Sequence, residues 1–186
     1  MSVSPPPRRA DAERNRARLV DVARAALVTD PAATMQSIAR LAEVGQGTIY
    51  RHFPSREALL AEVHREDFHA LVASARALAM RADQAGALRA WLDELAGFGS
   101  QKHALVAVLD AATRQRLHDE QYDEIIDAVG ALLDAGIGAG EVRADAGPAD
   151  LLALVAFLWQ LGSNGADRFP HLLDLVVDGL RPTRGH

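Results

Sequence analysis

Three residues that are small or hydrogen-bonding rather than bulky, Gln46, Gly47 and Thr48, lie together where a predicted helix exposes one face. Val44 and Ile49, which flank them, are apolar and can face a core. Amide and hydroxyl groups on such a face can hydrogen-bond to base edges when the helix enters the major groove of DNA. The chemistry that these residues favour is therefore hydrogen bonding to nucleic acid, and the leading hypothesis is a DNA-binding regulator.

Two short helices joined by a tight turn must position this face. Ile38 and Ala42 are apolar on the side that must close over a core, and Ala39 is small where the two helices must approach closely. Thr34 is a good N-cap for the first of these helices. Pro54 prevents the second helix from continuing. This spacing is that of a helix-turn-helix.

The remaining pattern is helical throughout. Asp30 and Pro31 stop a first helix, and Ser55 caps a long fourth helix with Glu57 in its first turn. No stretch shows sustained period-two alternation, so we predict an all-α protein. The predicted helices cover residues 11–28, 34–41, 46–52, 55–81, 87–98, 101–111, 119–137, 148–161 and 170–180.

Composition bounds the class of protein. The chain has 186 residues, of which 49% are hydrophobic and 24% charged, a balance that permits a sizeable core. It has no cysteine, which excludes disulfides and cysteine-ligated zinc. The basic N-terminus lacks the apolar stretch of a secretory signal, and the apolar run 151–161 is shorter than the about 20 residues that span a bilayer. We therefore expect a soluble cytoplasmic protein.

Positive charge is concentrated at the N-terminal end. Residues 1–56 hold nine arginines against five acidic residues, a net +4, although the net charge of the whole chain is −5. Residues 57–186 hold 11 basic and 20 acidic residues, a net −9. A basic segment that coincides with the helix-turn-helix pattern favours contact with DNA phosphates. Chance clustering on a solvated face is the alternative.

The segment 34–60, and above all residues 45–60 (GQGTIYRHFPSREALL), resembles the helix-turn-helix of TetR-type transcriptional regulators. The resemblance implies an all-α homodimer, usually a repressor, that leaves DNA when a small molecule binds its C-terminal domain. On this basis we expect a disordered arm over residues 1–9 and a helix-turn-helix DNA-binding domain over residues 10–56. A larger helical ligand-binding and dimerisation domain is expected over residues 57–186.

The resemblance also implies roles at matching positions. Positions that match phosphate-contacting residues of the family are Thr34, Tyr50, His52 and Arg56. Positions that match base-contacting residues, or lie among them, are Gln46, Gly47, Thr48 and Arg51. An arginine in the first turn of a helix is disfavoured by the dipole, so a nearby phosphate would account for Arg56.

Several of these residues also have a purely structural interpretation. Tyr50 can be a half-buried core residue, and His52 can cap the C-terminal end of its helix. Thr34 is an N-cap with or without DNA. Arg8 and Arg9 resemble arms that some family members lay in the minor groove, but a disordered solubilising tail accounts for them equally well.

Glu43 departs from the family pattern, which usually has glycine at this position of the turn. Glycine suits a turn that needs a positive φ, and glutamate in that conformation would cost about 1 kcal/mol. Either the turn differs in this chain, or Glu43 points aside toward an arginine such as Arg40.

Two apolar C-terminal segments predict a subunit interface. Residues 151–161 are apolar on all sides, so a helix there must be covered on more than one side, and the final helix is similar. Two copies would form a four-helix bundle across a two-fold axis, and a buried monomer core is the alternative. Such a homodimer places two recognition helices about 34 Å apart on a near-palindromic double-stranded site. The expected interface residues are Leu151, Leu154, Phe157, Leu158, Leu172, Val176 and Leu180.

The middle helices are candidates for an effector pocket. Their apolar and aromatic residues can line a cavity with a few polar anchors, although plain core packing is the alternative. The scarcity of polar groups favours an apolar or amphipathic effector. The candidate ligand-binding residues are Trp91, Phe98, His103, Val106, Asp110 and Gln160, with Met80, Leu95 and Leu109 as further lining. No cofactor or metal site is expected, because His64 and His69 turn to different sides of one helix.

Two other functions compete with the leading hypothesis. An enzyme would need a glycine-rich phosphate loop, a nucleophile elbow or a metal-ligand cluster, and the sequence has none, so we expect no enzyme. A DNA-binding regulator controlled by a protein partner, with no small-molecule effector, stays open.

Overall fold

The computed structural model describes residues 7–106, 111–156 and 168–182. This part of the chain contains eight α-helices and no β-strand, which confirms the all-α prediction. None of the described helices is both long and apolar enough to cross a membrane. The helices are α1 (Pro7–Thr29), α2 (Met35–Leu41), α3 (Gln46–His52), α4 (Arg56–Leu78), α5 (Gln84–Val106), α6 (Ala111–Gly138), α7 (Pro148–Ala156) and α8 (Phe169–Gly179).

The chain divides into two compact units, residues 1–66 and residues 67–186. The helices of the helix-turn-helix, α2 and α3, lie in the N-terminal unit. α4 begins in the N-terminal unit and ends in the C-terminal unit. The division therefore falls within α4, later than the boundary after residue 56 that the sequence suggested.

α1 begins earlier than the sequence pattern predicts. The expected disordered arm covers residues 1–9, but α1 already starts at Pro7. Proline is favoured in the first helical turn because it has no N–H to leave unpaired there. Residues 7–9 of the expected arm are therefore helical, and the rest of that arm, residues 1–6, lies outside the described residues.

Two helices of the C-terminal unit are longer than predicted. α5 runs without interruption through Gly99, where the sequence suggested a break between two helices. A glycine inside a helix costs about 1 kcal/mol relative to alanine, and burial of side chains such as Leu92 and Leu95 offsets that cost. α6 starts at Ala111 instead of residue 119, because polar helix formers around the buried Leu117 continue the helix without apolar periodicity.

α1 to α4 enclose the core of the N-terminal unit. Ile38 and Ala39 of α2, Ile49 of α3 and Leu59 of α4 are almost fully buried there, together with Phe53, which follows α3. Burial of each large apolar side chain contributes about 1.5–3 kcal/mol to stability. The apolar face predicted for the helix-turn-helix is therefore the face that packs.

The C-terminal unit has a separate core centred on Trp91. The Trp91 side chain is fully buried, and its indole N–H donates a hydrogen bond of 3.1 Å to the backbone carbonyl of Leu71. A buried indole without an acceptor would cost the desolvation of its N–H, so this bond fixes the ring in place. Leu88, Leu132 and Leu151 pack in the same cluster.

Two carboxylates cap the N-terminal end of α5. Asp83 accepts a hydrogen bond of 2.8 Å from the amide of Gly86, one turn into the helix. Glu141, from the loop after α6, accepts another of 2.8 Å from the amide of Ala85. Both bonds satisfy amides that have no partner within the helix, and the negative charges suit its dipole.

The end of α6 brings Gly136 against Val142. The chain leaves the helix through Gly140, whose φ of 74° lies in the left-handed region. The amides of Gly140 and Glu141 donate to the carbonyls of Ile137 and Gly136 at 3.0 and 2.9 Å. A Cβ on Gly136 would lie 2.4 Å from Cγ2 of Val142, which is buried.

We expect Gly136→Ala to lower the free energy of unfolding by about 1–3 kcal/mol, because the buried Val142 side chain has to move. The matched control is Gly138→Ala in the same helical turn, where a Cβ meets nothing within 4 Å. There alanine is expected to be neutral or stabilising because of its helix propensity. Urea unfolding followed by circular dichroism measures both variants. Equal stabilities would contradict the steric explanation.

Candidate nucleic-acid interface

The turn between α2 and α3 keeps the conformation that usually requires glycine. Glu43 has a φ of 55° and is the only described residue other than glycine with a positive φ. Its amide donates to the carbonyl of Arg40 at 3.1 Å, and the amide of Val44 donates to the carbonyl of Ala39 at 3.0 Å. These two bonds form a Schellman motif at the end of α2. The alternative that the turn differs in this chain is therefore wrong.

The Glu43 side chain does point to an arginine, but to one that the sequence did not suggest. Its carboxylate lies 3.4 Å from the guanidinium of Arg18 on α1. Arg40, the example that the sequence suggested, contacts Glu43 through its backbone carbonyl, whereas the ion pair of the Glu43 side chain is with Arg18. Both partners of the observed pair are well exposed, so the pair contributes little to stability.

Thr34 caps α2 as predicted. Its side-chain oxygen accepts a hydrogen bond of 3.2 Å from the amide of Ser37, and the Ser37 hydroxyl accepts one of 2.9 Å from the amide of Thr34. This reciprocal capping box satisfies two amides that otherwise lack partners. Thr34 remains exposed, so the cap does not prevent its hydroxyl from facing a phosphate.

α3 divides into a buried side and an exposed side. Ile49 is fully buried, whereas Gln46 and Gly47 are exposed and Thr48 is partly exposed. Gly45 is the N-cap and makes no side-chain capping bond. The residues expected to meet base edges therefore occupy the solvent side of the first turn of α3.

Arg51 lies along the surface of α3. Its Nε donates 3.0 Å to the carbonyl of Gly47, and one of its terminal nitrogens donates 3.2 Å to the hydroxyl oxygen of Thr48. Three of the residues expected to contact DNA are thus linked directly to one another. The Thr48 oxygen thus accepts from Arg51, and its hydroxyl hydrogen is not used in that bond.

Tyr50 and His52 differ in exposure. The Tyr50 side chain is 49% exposed, which excludes the alternative that it is a core residue. The His52 ring is half-buried beside the Phe53 ring, with the two ring centres 6.5 Å apart. Tyr50 therefore has an accessible hydroxyl, and His52 has one side against protein.

Arg56 makes contacts that the sequence did not reveal. Its Nε donates 3.0 Å to the carbonyl of Ala33, and a terminal nitrogen donates 2.7 Å to the carbonyl of Pro31. These carbonyls belong to the loop between α1 and α2. Arg56 therefore ties the start of α4 to the loop that leads into α2, which gives it a structural reason to occupy the first turn of a helix.

Glu57 complements the first turn of α4. Hydrogen bonding from its backbone amide, followed in importance by hydrogen bonding from the Ser55 hydroxyl, lowers the pKa of the Glu57 carboxyl. The same hydroxyl of Ser55 also accepts from the amide of Ala58 at 3.2 Å, as expected of the predicted N-cap. The two residues together offset the unfavourable charge of the neighbouring Arg56.

Carboxylates partner several of the arginines in the N-terminal unit. Arg24 lies 2.6 Å from Asp21 and 3.0 Å from Glu66, and Arg14 pairs with Asp11. The Arg14–Asp11 pair is largely exposed and the pairs of Arg24 are partly exposed, so salt screens them to different extents. Fewer guanidinium groups are therefore ready to contact a phosphate than the number of arginines in this unit suggests.

The candidate effector residues do not come together around a described cavity. Trp91 is fully buried and hydrogen-bonded, and Phe98 packs 6.2 Å from the Phe68 ring, both as parts of the core. Met80, a further candidate, is 86% exposed, so its assignment to a pocket is wrong. Leu95 is buried in the same core. The side chains of His103 and Leu109 lie outside the described residues, as do those of three others. These others are Val106, Asp110 and Gln160.

Five of the seven expected interface residues line one groove. Leu151 and Leu180 are buried, Leu172 and Val176 are half-buried, and Leu154 is 52% exposed. The groove between α7 and α8 has a volume of about 460 Å³ and an apolar floor, with Arg143, Asp145 and Asp150 at its edge. Phe157 and Leu158 lie outside the described residues, as do the side chains of Arg8 and Arg9.

Histidines and carboxylates do not gather into a metal site in the described ranges. No group of three or more such side chains there is arranged to hold an ion. His64 is buried and His69 is exposed, in agreement with their predicted placement on different sides of α4.

Two family profiles match the chain. The profile described as bacterial regulatory proteins, tetR family, matches residues 19–63. The profile described as transcriptional regulator SbtR-like, C-terminal domain, matches residues 83–182, which is more than half of the chain. No curated protein matches the chain significantly.

Solved structures of transcriptional regulators resemble the chain over most of its length. A TetR transcriptional regulator from Streptomyces coelicolor is 33% identical with a TM-score of 0.77, over 90% of this chain and 99% of that one. A TetR transcription regulatory protein from Mycobacterium vanbaalenii is 32% identical with a TM-score of 0.71, over 94% and 99%. NemR from E. coli, in its reduced form, is 15% identical with a TM-score of 0.69, over 92% and 100%, a likeness of fold alone.

We expect Glu43→Gly to stabilise the helix-turn-helix by about 1 kcal/mol, because glycine adopts the positive φ without steric cost. The control is Glu43→Ala, which removes the same carboxylate but keeps a Cβ, and it should give no such gain. Hydrogen exchange of the α2 and α3 amides reports this unit separately from the rest of the chain. An equal gain in both variants would show that charge, and not backbone conformation, sets the cost.

Proposed function

The chain belongs to the TetR family of DNA-binding transcriptional regulators, and from this premise we propose that it is a cytoplasmic, homodimeric repressor. A small molecule bound in its C-terminal unit releases it from a near-palindromic operator. The observation that carries the proposal is the exposed first turn of α3, where Gln46 and Thr48 stand on the side opposite the buried Ile49. Short polar groups on a helix anchored this way suit the major groove.

In this proposal, Gln46 and Thr48 contact base edges, and Arg51 adds a charge beside them. A glutamine amide can form two hydrogen bonds with an adenine, and a threonine can hydrogen-bond to a base or contact a thymine methyl group. Gly47 lets the backbone of α3 approach DNA closely because it has no side chain. The hydrogen bond between Arg51 and the Thr48 hydroxyl keeps the two groups at one site.

Phosphate contacts come from residues around this face. The exposed Tyr50 is the residue best placed to donate to a phosphate, with the half-buried His52 near it. The exposed Thr34 joins them once its hydroxyl hydrogen, which lies toward the Ser37 oxygen at 3.3 Å, turns outward. Arg56 contributes more indirectly, because two of its donors already hold backbone carbonyls. Its remaining positive charge still lowers the potential energy of a nearby phosphate.

A second copy of the chain covers the groove between α7 and α8. Leu154 and Leu175 are 52% and 54% exposed in the single chain, side by side with the half-buried Leu172 and Val176. Exposed apolar surface of this kind is stabilised by burial against a partner. A two-fold axis through this face forms the four-helix bundle and sets two recognition helices on successive major grooves.

Release by an effector requires two conformations with different affinities for it, because equal affinity would shift no equilibrium. α4 contributes residues to both units, so it is the element through which such a change is proposed to act. An apolar or amphipathic molecule is the expected effector class.

Selection of bound genomic fragments, followed by footprinting at two salt concentrations, tests this function. A protected near-palindrome beside one operon would support a specific regulator, and its neighbouring genes would indicate the effector class. Weak binding without a preferred site, abolished by moderate salt, would refute the proposal.

We expect Gln46→Ala to relax discrimination at one operator position, at a cost of about 1–3 kcal/mol, and Tyr50→Phe to weaken all duplexes alike. The difference follows from the roles: a base contact depends on sequence, whereas a phosphate contact does not. Fluorescence anisotropy with the selected operator and with a scrambled duplex measures both variants. Gln115→Ala, in the exposed part of α6, is the control and should change neither affinity. Unchanged discrimination in Gln46→Ala would remove it from the base-reading set.

We expect Leu154→Asp to give a folded monomer, since a charge in the groove opposes burial while the exposed position tolerates it within one chain. Sedimentation measures the oligomeric state, and circular dichroism confirms that the helices persist. The control is Met80→Asp, at a still more exposed apolar residue outside the groove, which should leave a dimer intact. A stable dimer in Leu154→Asp would mean that the subunits meet elsewhere.

A further inference from the structure

We propose that Arg16 of α1 is a positioning residue that holds the C-terminal end of α3 in place. The inference rests on the proposed function, in which the first turn of α3 reads DNA. Arg16 joins three features with one guanidinium: the last carbonyl of α3, the ring of Phe53 directly after it, and the carboxylate of Glu62 on α4. The family resemblance assigned Arg16 no role.

The contacts of Arg16 use both ends and the face of its guanidinium. One terminal nitrogen donates 3.1 Å to the backbone carbonyl of His52, and the other lies 3.0 Å from the Glu62 carboxylate. The central carbon of the group lies 4.4 Å from the centre of the Phe53 ring, within the range of a cation–π contact. A lysine ammonium is a point charge and cannot make these three contacts together.

The carbonyl that Arg16 holds is one that α3 leaves without a partner inside the helix. The last carbonyls of any helix need outside donors, and a positive charge there also suits the dipole. Phe53 is almost fully buried, and its amide closes α3 by donating to Ile49 at 2.8 Å. Arg16 therefore acts at the point where α3 meets the core.

Glu62 holds the Arg16 guanidinium in place against the end of α3. Its side chain is only 18% exposed, and it accepts from Arg65 at 2.5 Å as well as from Arg16. Arg65 lies on the same helix as Glu62, so it holds the carboxylate ready for Arg16. The Arg16 side chain is 39% exposed, but the Glu62 carboxylate is less exposed than the carboxylates of the other ion pairs described in this unit, so this pair is less screened by solvent.

The consequence for DNA reading follows from the size of α3. α3 has seven residues, so it spans about 10 Å and is not stable on its own. Tertiary contacts set its direction, and a tilt at His52 displaces Gln46 and Thr48 at the other end. Hydrogen bonds to bases tolerate only a few tenths of an ångström, so loss of the anchor lowers affinity for the operator more than affinity for DNA in general.

The test compares Arg16→Lys with Arg14→Lys on the selected operator and on an unrelated duplex, well below the unfolding temperature. Arg14 lies in the same helix, is 71% exposed and pairs with Asp11 in its own helix, so its variant should behave as the wild type. For Arg16→Lys we expect about tenfold weaker operator binding, less than about twofold change on the unrelated duplex, and an unchanged slope of log affinity against log salt. A lower ratio of the two affinities is not expected from a loss of global stability alone.

Two affinity results with Arg16→Lys would overturn the proposal. Equal weakening on both duplexes with a salt slope reduced by about 0.9 would make Arg16 a phosphate ligand. Unchanged affinities on both duplexes would mean that Arg16 has no role in binding.

Glu62→Gln separates the effect of charge from the effect of positioning. Removal of a negative charge raises affinity for any DNA, whereas loss of positioning lowers the ratio of operator affinity to unrelated affinity. An unchanged or higher ratio in Glu62→Gln would contradict positioning.

A measurement without DNA separates this inference from the proposed function. Amide hydrogen exchange at residues 52 and 53 should rise in Arg16→Lys and stay unchanged in Arg14→Lys. If the wild type selects no operator, the proposed function fails, but the exchange result still shows whether Arg16 stabilises the C-terminal end of α3. Unchanged exchange in Arg16→Lys would overturn the inference even if an operator is found.

Discussion

The hydrogen bond from the amide of Val44 to the carbonyl of Ala39 is the constraint on which the N-terminal unit depends. It closes α2 and forces Glu43 into the left-handed region, so that the chain turns sharply enough to start α3 two residues later. The turn carries Ile49 into the core and leaves the other side of α3 in solvent. A backbone requirement, satisfied here against the preference of the glutamate side chain, thus creates the face that we propose contacts DNA.

The parts of this arrangement that the sequence predicted are those with local causes. Thr34 caps α2 through an amide three residues away, and Pro54 limits α3, so both helices could be placed from a few adjacent residues. The orientations of Arg16 and Arg56 were not predictable in this way. Both hold backbone carbonyls more than 20 residues distant, and a carbonyl has no signature in the sequence. An arginine in a helix-turn-helix is therefore easily credited with a phosphate when its donors face the protein.

The C-terminal unit illustrates a different limit. Trp91 was a reasonable candidate for a ligand pocket, and it is instead a core residue bonded to Leu71. Pocket walls and cores use the same apolar residues at the same helical spacing, so periodicity cannot distinguish them. The pattern of residues 151–161 is apolar on opposite sides, and in α7 Leu151 is buried whereas Leu154 is exposed, which leaves the subunit interface there a prediction. The break predicted between the helices over residues 87–98 and 101–111 falls inside α5, where tertiary packing keeps the helix continuous.

The placement of the aromatic residues gives the two units different optical signatures. Both tryptophans of the chain, Trp91 and Trp159, belong to the unit that comprises residues 67–186, whereas the N-terminal unit has Tyr50 as its single tyrosine and no tryptophan. Tryptophan emission therefore follows the C-terminal unit alone, while far-ultraviolet circular dichroism follows the helices of both. Coincident denaturation curves from the two signals would indicate one cooperative transition, and separated curves would give each unit its own stability. An effector that quenches or shifts the emission of the buried indole could then be detected without knowing the operator.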